Sequence, residues 1–535
     1  MIKTYFILLK LILIFNYLLY IKCYKKSVPQ LFSTKIQDSN VGTYEVKSKA
    51  LKKLYERKLI HYVSDIKGID KILCKNENEK ERKYRKSVYV GIDLNCKYLH
   101  LGNLIPLITL DTLRNYMTDI IILLGSSTTK IGDPSFQNTE RKKTLDEEIC
   151  ENEKNIRNNI INLFLQNELS KKNLNEIIER SNLSSSKEFT YESEKKGSLT
   201  ILKNNIWYDK MNIIDFLKYG EHLSVNKLLR KECFLKKLKK NLTLKDLNYV
   251  TLQSFDFLYL FQNFKTYIQI GGSDQWGNIQ SGIELCQNIF KTQLFGLTTN
   301  LLVHKNNVKY SKSLFNENRK LPIWIDKSYN PPYLFWNFLR NIEDEKVQSY
   351  TDMLTDINID TSHQIDNYTN SNSSNFNEIE NIGDTTNNKD SINFQKTYEE
   401  EINKAKKKLS DSVTSYVYGK ETVKKIHKMN KMMKNEENYK IEDIEDLKIF
   451  PFLEINKEDL NENKIDILQM LRKFEIAATN KEAKEKINQN CIYLNRNLVT
   501  NPKLQLNISH FLQVHNNYYA ILRLGKKTFY SIIVK

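Results

Sequence analysis

Short apolar runs alternate with helical patterns in the first half of this 535-residue chain. The run Ile120–Leu124 is apolar at every position and is followed by Gly125. Such a run is typical of a parallel strand that is buried on both faces. Ser87–Ile92, expected to end near Gly91, and Thr266–Ile270 give two further strand signals. This alternation predicts an α/β domain with a doubly wound parallel sheet.

Composition limits the class of protein. The length allows two to four domains, and a hydrophobic fraction of 40% is sufficient for globular folding. The net charge of +18 favours a polyanionic partner such as nucleic acid, although AT-rich coding DNA would also enrich lysine and asparagine. Seven cysteines are scattered without a CxxC pair, so we expect reduced thiols and neither a disulfide framework nor a zinc site.

The N-terminus has the pattern of a targeting sequence. Residues 1–22 contain an apolar segment, Tyr5 to Tyr20, that suits a secretory signal and is short for a membrane span. Residues 23–47 begin with a basic, hydroxyl-rich stretch that resembles a transit peptide. This bipartite leader predicts import into an organelle, either an apicoplast-type plastid, which fits best, or a mitochondrion. An uncleaved anchor is the competing interpretation; otherwise we expect no stable membrane association once the leader is removed.

Three motifs carry most of the chemical information. His100-Leu101-Gly102-Asn103 opens an apolar helical segment, with His100 expected in its first turn. The run of residues 271–278, GGSDQWGN, follows a predicted strand, and its glycines let the backbone approach a bulky ligand. Residues 309–313, KYSKS, place two cations three residues apart, where they suit a phosphate group. Each motif alone is weak, because a core histidine, a capped loop or a solvated lysine loop would explain it.

In this order the three motifs resemble the ATP-handling elements of class I aminoacyl-tRNA synthetases, and GGSDQWGN narrows the resemblance to tyrosyl-tRNA synthetases of bacterial and organellar type. The resemblance implies a tyrosine–tRNA ligase. Such an enzyme activates L-tyrosine with magnesium-bound ATP to tyrosyl-adenylate and pyrophosphate, and then transfers tyrosine to the 3′-terminal adenosine of tRNA(Tyr). It also implies a homodimer without a tightly bound cofactor.

The resemblance assigns roles to individual residues of this chain. The catalytic residues that act on ATP are implied to be His100, Asn103, Lys309 and Lys312. The substrate tyrosine would have its phenol hydroxyl bound by Tyr89 and Asp256, its ammonium group by Asp133, Tyr249 and Gln253, and a further contact from Gln269. The ATP and adenylate site would be lined by Gly91, Asp93, Gly102, Arg141, Gly272, Asp274, Gln275 and Ser311. No residue is expected to hold a metal ion.

Two positions depart from the family pattern. Asn103 stands where the motif usually ends in histidine, and asparagine can donate a hydrogen bond but carries no charge. Gln137 stands where the segment after Asp133 often has lysine, so one cation near pyrophosphate is missing. We expect slower activation unless Lys142 or Lys143 compensates.

The domain organisation follows from composition and resemblance together. We expect a Rossmann-like catalytic domain at 48–295 with a polar insertion at about 170–203, and a KMSKS-type loop region at 296–330. A helical anticodon-side domain at 331–460 would contain a disordered Asn-rich insertion at 356–395. An S4-like RNA-binding domain at 461–535 would contact RNA through Lys484, Lys526 and Lys527. The alternatives are a non-catalytic RNA chaperone built on a retired synthetase and a membrane-anchored protein.

Overall fold

The computed structural model describes residues 35–38, 42–134, 145–183, 188–238, 242–303, 310, 324–327, 329–357, 388–434, 444–461, 465–515, 517–525 and 528–534. The predicted signal segment, most of the transit-like segment and residues 358–387 of the predicted Asn-rich insertion lie outside these ranges. Among the helices of the described ranges, none combines the length and apolarity that crossing a bilayer requires.

A seven-stranded sheet forms the centre of the first domain, in the order β3-β9-β8-β4-β5-β7-β6. The first nine strands are β1 (Lys35–Asp38), β2 (Gly42–Glu45), β3 (Ile60–Val63), β4 (Ser87–Ile92), β5 (Ile120–Leu124), β6 (Glu188–Tyr191), β7 (Leu199–Lys203), β8 (Thr266–Gly272) and β9 (Phe295–Thr299). β1 and β2 form a separate antiparallel pair. The central strands pair in parallel, whereas β3 and β6 are antiparallel edge strands.

Helices cover both faces of this sheet. They are α1 (Lys49–Glu56), α2 (Ile66–Asn78), α3 (Leu104–Asn115), α4 (Thr128–Ile131), α5 (Asp146–Leu165), α6 (Lys171–Leu183), α7 (Asn205–Tyr208), α8 (Ile213–Gly220), α9 (Val225–Leu229), α10 (Glu232–Leu238), α11 (Leu244–Phe264) and α12 (Trp276–Phe290). Along β4, Val88 and Val90 join one apolar cluster and Tyr89 joins another. The predicted doubly wound α/β fold is therefore confirmed, with a mixed rather than wholly parallel sheet.

The second half of the chain forms a helical region and a small α+β module. The helices are α13 (Pro332–Arg340), α14 (Asp344–Leu354), α15 (Asn388–Tyr418), α16 (Lys420–Lys434), α17 (Lys457–Asn461), α18 (Ile467–Lys473) and α19 (Asn480–Asn488). The strands are β10 (Phe452–Ile455), β11 (Ile492–Leu494), β12 (Asn497–Leu498), β13 (Leu512–Val514), β14 (Asn517–Leu524) and β15 (Thr528–Val534). They pair in the order β10-β15-β14-β11-β12, with β13 on β14.

The observed elements cross several of the expected boundaries. The predicted polar insertion at 170–203 ends in β7, which is buried and pairs with β5. The predicted Asn-rich insertion overlaps α15, which begins at Asn388. Strand β10 joins the C-terminal sheet ahead of the expected boundary at 461, because it pairs in parallel with β15. By contrast, β4 spans Ser87–Ile92 as expected, and its ladder to β5 continues through Gly91 to Ile92.

Candidate active site

The candidate site lies in the central sheet where the chain order reverses. β4 continues to β5 and β7 on one side, and β8 continues to β9 on the other. Doubly wound sheets bind their ligands in the crevice that such a reversal opens. Tyr89 of β4 lies opposite Gln269 of β8 in the ladder. Tyr89 packs against Phe257 of α11, and the Gln269 side chain lies beside Gly282 of α12, so both face these helices.

A tyrosine hydroxyl and a carboxyl group lie deep in this crevice. Tyr89 is 1% exposed, and its buried hydroxyl has no hydrogen-bond partner among the described residues. Burial, and then the nearby carboxyl group of Asp256, raise the pKa of Tyr89. A buried hydroxyl without a partner costs about 1–3 kcal/mol. The two residues expected at a phenol hydroxyl are therefore close together, and one of them lacks a partner that a polar ligand could supply.

Asp256 is held by three donors from one short segment. The Asn204 amide donates to Oδ2 at 3.2 Å, and the Trp207 indole and Tyr208 hydroxyl each donate to Oδ1 at 2.9 Å. Burial raises the pKa of Asp256 to about 7, and the three hydrogen bonds act in the opposite direction. None of these three donors was predicted from the sequence. Their place directly after β7, at the carboxyl end of a parallel strand, is the signal that could have identified them.

A second polar network lies beside the first. The Gln275 amide donates to Asp133 Oδ2 at 2.8 Å, and the Gln253 amide is 3.5 Å from Gln275 Oε1. Asn278 donates to Asp133 Oδ1 at 3.4 Å. Gln253 and Gln269 each have a buried amide oxygen without a partner among the described residues. The network therefore gathers one carboxylate and several amide oxygens, which are the groups that bind an ammonium ion.

Tyr249 and Asp93 form a contact near the rim of the crevice. The Tyr249 hydroxyl lies 3.3 Å from Asp93 Oδ2, and Thr128 donates to Asp93 Oδ1 at 3.4 Å. Tyr249 and Gln253 both belong to α11, one helical turn apart, as their spacing predicts. The structure thus links a residue predicted to bind tyrosine with one predicted to bind the adenylate.

His100 precedes a short 3₁₀ turn, Leu101–Asn103, and α3 begins only at Leu104. The prediction that His100 lies in the first helical turn was therefore wrong. Its backbone is extended, and its N–H donates to Asn103 Oδ1 at 3.0 Å. Because Asn103 uses its amide oxygen as this cap, its amide N–H groups remain the part of the side chain that can donate to a ligand.

Gly102 lies close to the backbone of Tyr310, a residue of the KYSKS motif. A Cβ atom at this position would lie 2.5 Å from the backbone oxygen of Tyr310 and 3.1 Å from the His100 ring. Tyr310 is 1% exposed and packs edge-on against Phe338 of α13. The motif around His100 and the motif around Tyr310 therefore meet in space, although more than 200 residues separate them.

Glycines near the carboxyl ends of β4 and β8 expose the backbone at the rim of the crevice. A Cβ atom at Gly91 would meet nothing within 4 Å, so this position opens onto free space. A Cβ atom at Gly272 would lie 2.4 Å from Asp274 Oδ1, so a larger residue there would displace the Asp274 side chain. Ser273–Gln275 form a 3₁₀ turn, and α12 follows from Trp276. The arrangement presents backbone and a helix start to a bulky anionic ligand.

Several predicted site residues lie outside the described residues: Arg141, Lys309, Ser311, Lys312, Lys526 and Lys527, together with Gln137, Lys142 and Lys143. Lys484 is exposed on α19, in the C-terminal module. Within the described part of the chain, no group of three His, Cys, Asp or Glu side chains is arranged to hold a metal ion.

Two family sequence models match this chain. Residues 80–405 match the model described as "tRNA synthetases class I (W and Y)". Residues 448–532 match the model described as "Tyrosine--tRNA ligase SYY-like C-terminal domain". This range includes β10, which also belongs to the C-terminal sheet in the structure.

Individual relatives agree with these matches. A tyrosine–tRNA ligase of Wigglesworthia glossinidia brevipalpis is 31% identical over 500 residues, which is 91% of this chain and 99% of the relative. A tyrosine–tRNA ligase of Wolbachia pipientis wMel is 29% identical over 490 residues, with 91% and 99% covered. In fold, the chain is similar to a C-terminally truncated mitochondrial tyrosyl-tRNA synthetase of Aspergillus nidulans. The TM-score is 0.52 at 18% identity, covering 72% of this chain and 94% of that one.

Proposed function

The chain belongs to the class I tyrosyl-tRNA synthetase family, and we propose that the buried hydroxyl and carboxyl groups of its crevice select tyrosine. It is a tyrosine–tRNA ligase, with tyrosine, ATP and tRNA as substrates. The observation that carries the proposed selection is the Tyr89 hydroxyl, buried without a described partner beside Asp256. The substrate's phenol hydroxyl donates to Asp256 and accepts from Tyr89. Phenylalanine would leave the Tyr89 hydroxyl unpaired and would leave Asp256 without the additional donor that tyrosine supplies, which is the basis of rejection.

The other end of the substrate binds at the second network. The ammonium group lies against Asp133, Tyr249 and Gln253, with Gln269 on the tyrosine side of the site. The unpartnered buried amide oxygens of Gln253 and Gln269, and the 2.8 Å link from Gln275 to Asp133, support this assignment. A site that fixes both ends of tyrosine holds its carboxylate in position for attack on the α-phosphate of ATP.

ATP binds over the bare rim of β4 and β8. Mg²⁺ arrives on the phosphates of ATP. The catalytic groups stabilise charge on the phosphates while tyrosyl-adenylate and pyrophosphate form. We assign this role to His100, Asn103, Lys309 and Lys312, and the lining of the nucleotide to Gly91, Asp93, Gly102, Arg141, Gly272, Asp274, Gln275 and Ser311. The meeting of Gly102 with Tyr310 supports the joint action of the two motifs.

The enzyme acts as a homodimer. Support comes from large apolar side chains exposed on helices α8 to α11, which a monomer would leave in water: Ile213, Ile214, Leu217, Val225, Leu235, Leu238 and Leu244. Several are more than half exposed, including Ile213 at 65% and Leu217 at 57%. Several exposed large apolar side chains on neighbouring segments of the sequence are typical of a subunit interface.

The tRNA engages the remaining domains. We assign residues 331–460 to the anticodon side and residues 461–535, joined by β10, to an S4-like RNA-binding domain. Lys484, exposed on α19, supports a phosphate contact, and we assign the same role to Lys526 and Lys527. In the second step the terminal adenosine of tRNA(Tyr) attacks the adenylate carbonyl and takes tyrosine.

The enzyme serves an organelle. This proposal rests on the two-part pattern of the leader, an apolar segment in residues 1–22 and a basic, hydroxyl-rich one in 23–47. A plastid of the apicoplast type fits this order better than a mitochondrion, because a secretory-type segment precedes the transit-like one. Sequencing the N-terminus of the mature protein from isolated organelles tests the proposal, and a chain that retains Tyr5–Tyr20 would contradict it.

Pyrophosphate exchange with purified enzyme tests the substrate assignment. The rate of ATP–pyrophosphate exchange is measured with tyrosine, phenylalanine and tryptophan in turn. We expect exchange with tyrosine at low concentration and little with the other two, because only tyrosine satisfies both Tyr89 and Asp256. Exchange that prefers tryptophan, or exchange with none of the three, would overturn the assignment.

A further inference from the structure

Tyr208 makes a contact with Asp256 that the substrate assignment does not require. It is the last residue of α7, and its ring is half-buried. Its hydroxyl lies 2.9 Å from Asp256 Oδ1 and 2.7 Å from the backbone oxygen of Leu252. Leu252 and Asp256 are one turn apart on α11, so the hydroxyl bridges two acceptors on the same helix face.

The hydrogen bonds to Asp256 are distributed unequally between its two oxygens. Each carboxylate oxygen can accept about two hydrogen bonds. Oδ1 accepts from Trp207 and Tyr208, whereas Oδ2 has one donor among the described residues, Asn204, at 3.2 Å. Oδ1 is therefore saturated by the protein, and Oδ2 retains an accepting position. Without the Tyr208 hydroxyl, Oδ1 would offer a second place for the substrate to bind, in a different geometry.

The carbonyl oxygen of Leu252 is a second acceptor for the Tyr208 hydroxyl, so Tyr208 can keep its contact with Asp256 by accepting a hydrogen bond instead of donating one. A phenol has one proton, so it can donate to only one of its two acceptors at a time. When Asp256 is ionised, Tyr208 donates to Oδ1. When Asp256 is protonated, Tyr208 can donate to Leu252 and accept from the carboxyl group instead. The contact thus persists in both protonation states of Asp256.

We propose that Tyr208 is a specificity-determining positioning residue: it occupies Oδ1 of Asp256 and so directs the substrate's phenol hydroxyl to Oδ2. The inference rests on the proposed role of Asp256 in tyrosine selection. Two further ionisable groups lie near Asp256: Tyr89 on β4 and Asp93 just after that strand. Each interacts with Asp256 electrostatically and not through a hydrogen bond to Oδ1. Tyr208 itself does not touch the reacting atoms, so its effect belongs to tyrosine binding rather than to the chemical step.

The matched pair of variants Tyr208→Phe and Tyr259→Phe tests this role. Tyr259 stacks on Trp207 with ring centroids 4.2 Å apart, so its variant also removes a hydroxyl from a ring beside the same segment. For Tyr208→Phe we expect the KM for tyrosine to rise about 3- to 10-fold with kcat little changed, since one hydrogen bond to a charged group is lost. The preference for tyrosine over phenylalanine falls by a similar factor, and Tyr259→Phe behaves as wild type.

The pH dependence of the KM for tyrosine provides a readout that a packing defect would not change. Burial raises the pKa of Asp256, and the Tyr208 hydrogen bond lowers it. In wild type the KM rises as pH falls through about 7, because a protonated carboxyl group accepts the phenol proton less well. Loss of the Tyr208 hydroxyl raises the pKa of Asp256, so the midpoint moves to higher pH by about 0.5–1 unit.

The outcomes separate this inference from the substrate assignment. If wild type selects tyrosine while Tyr208→Phe keeps its KM, its selectivity and its pH midpoint, the role of Tyr208 is refuted and that of Asp256 stands. An equal loss in Tyr259→Phe would also refute it, since the effect would then reflect packing around Trp207. If wild type does not select tyrosine, both proposals fail together. Circular dichroism and melting curves of each variant establish that it is folded.

Discussion

Single residues in the crevice are buried without the partners that folding normally provides. The Tyr89 hydroxyl and the amide oxygens of Gln253 and Gln269 are all buried without a hydrogen-bond partner among the described residues. Each such group costs roughly 1–3 kcal/mol, and a ligand that supplied the missing hydrogen bond would recover that cost. On the proposed assignment, tyrosine is that ligand, so its binding should stabilise the folded protein.

Gly102 gives a prediction at the same scale. In Gly102→Ala the new Cβ would lie 2.5 Å from the Tyr310 oxygen, so the backbone at Tyr310 must shift away from Gly102. We expect the rate of adenylate formation to fall about 10-fold or more, because misplaced catalytic groups lose most of their effect. Equilibrium binding of tyrosine should change little, since its pocket lies deeper in the crevice.

Gly220→Ala is the control for this variant, because a Cβ atom there meets nothing within 4 Å. Rapid quench measures adenylate formation, and equilibrium dialysis measures tyrosine affinity. A Gly102→Ala enzyme that forms adenylate as fast as wild type would show that the close approach has no catalytic role. A parallel loss of tyrosine affinity would place the defect in the fold instead.

Candidate site residues could be proposed from the sequence where a local motif marks them. Tyr249, Gln253 and Asp256 lie on one helix at spacings of one turn, and Asp133 follows a glycine, so a motif match identifies them. No local sequence motif identifies Trp207 or Tyr208. They reach Asp256 only because β7 joins the sheet beside β5, and that pairing is a property of the fold rather than of the local sequence.

At the scale of elements, β7 shows why the sequence prediction of an insertion failed. Polar residues dominate the segment from Ser170 onward, whereas Leu199, Ile201 and Leu202 are fully buried in the sheet. A strand of five residues within a polar stretch has too short an apolar run to be distinguished by periodicity. The parallel strands β4, β5 and β8 were recognisable because their apolar runs end in or near glycine.

A buried ion pair joins the elements around β7 and gives the second prediction. Arg114, near the end of α3, has a side chain with 0% exposure and binds both carboxylate oxygens of Glu168 at 2.7 and 3.1 Å. Lys196, shortly before β7, also contacts Glu168 at 2.8 Å. Glu168→Ala would leave the Arg114 charge buried without its carboxylate, so we expect the free energy of unfolding to fall by about 3–5 kcal/mol.

Urea unfolding followed by circular dichroism measures this loss. Glu401→Ala is the control, since its partner Lys404 is largely exposed and such surface pairs contribute little. A Glu168→Ala protein with the unfolding midpoint of wild type would mean that water, rather than Glu168, compensates the Arg114 charge. Equal losses in both variants would contradict the distinction between the buried and the exposed pair.

At the scale of the whole molecule, the sequence indicated the kinds of domain more clearly than the boundaries between them. The doubly wound sheet and the small C-terminal module were both expected. The entry of β10 into the C-terminal sheet was not, because Phe452–Ile455 lies in a charged stretch and pairs with a strand more than 70 residues later. The pairing of short strands that are far apart in sequence cannot be identified from a local sequence pattern. The packing of α15 on α13 and α14 is also a tertiary property that a local pattern does not show.

The assembly gives the third prediction. Leu217 is 57% exposed on α8, within the apolar surface proposed as the dimer interface. Wild type should sediment as a dimer, and Leu217→Asp should sediment as a monomer at the same concentration, because a charge in an apolar interface is costly to bury. Leu512→Asp, at an apolar position with 39% exposure in the C-terminal module, should remain a dimer. A monomeric wild type, or a dimeric Leu217→Asp, would contradict the proposed surface.

The most direct measurement is the ratio of kcat/KM for tyrosine to kcat/KM for phenylalanine in Tyr89→Phe, compared with wild type. The variant removes a hydroxyl that has no described partner in the empty protein, so its stability should be unchanged or higher. We predict that the ratio falls about 10-fold, since tyrosine loses one hydrogen bond while phenylalanine no longer leaves a buried hydroxyl unpaired. A ratio equal to that of wild type in a fully folded variant would contradict the selection of tyrosine by this pair of buried groups.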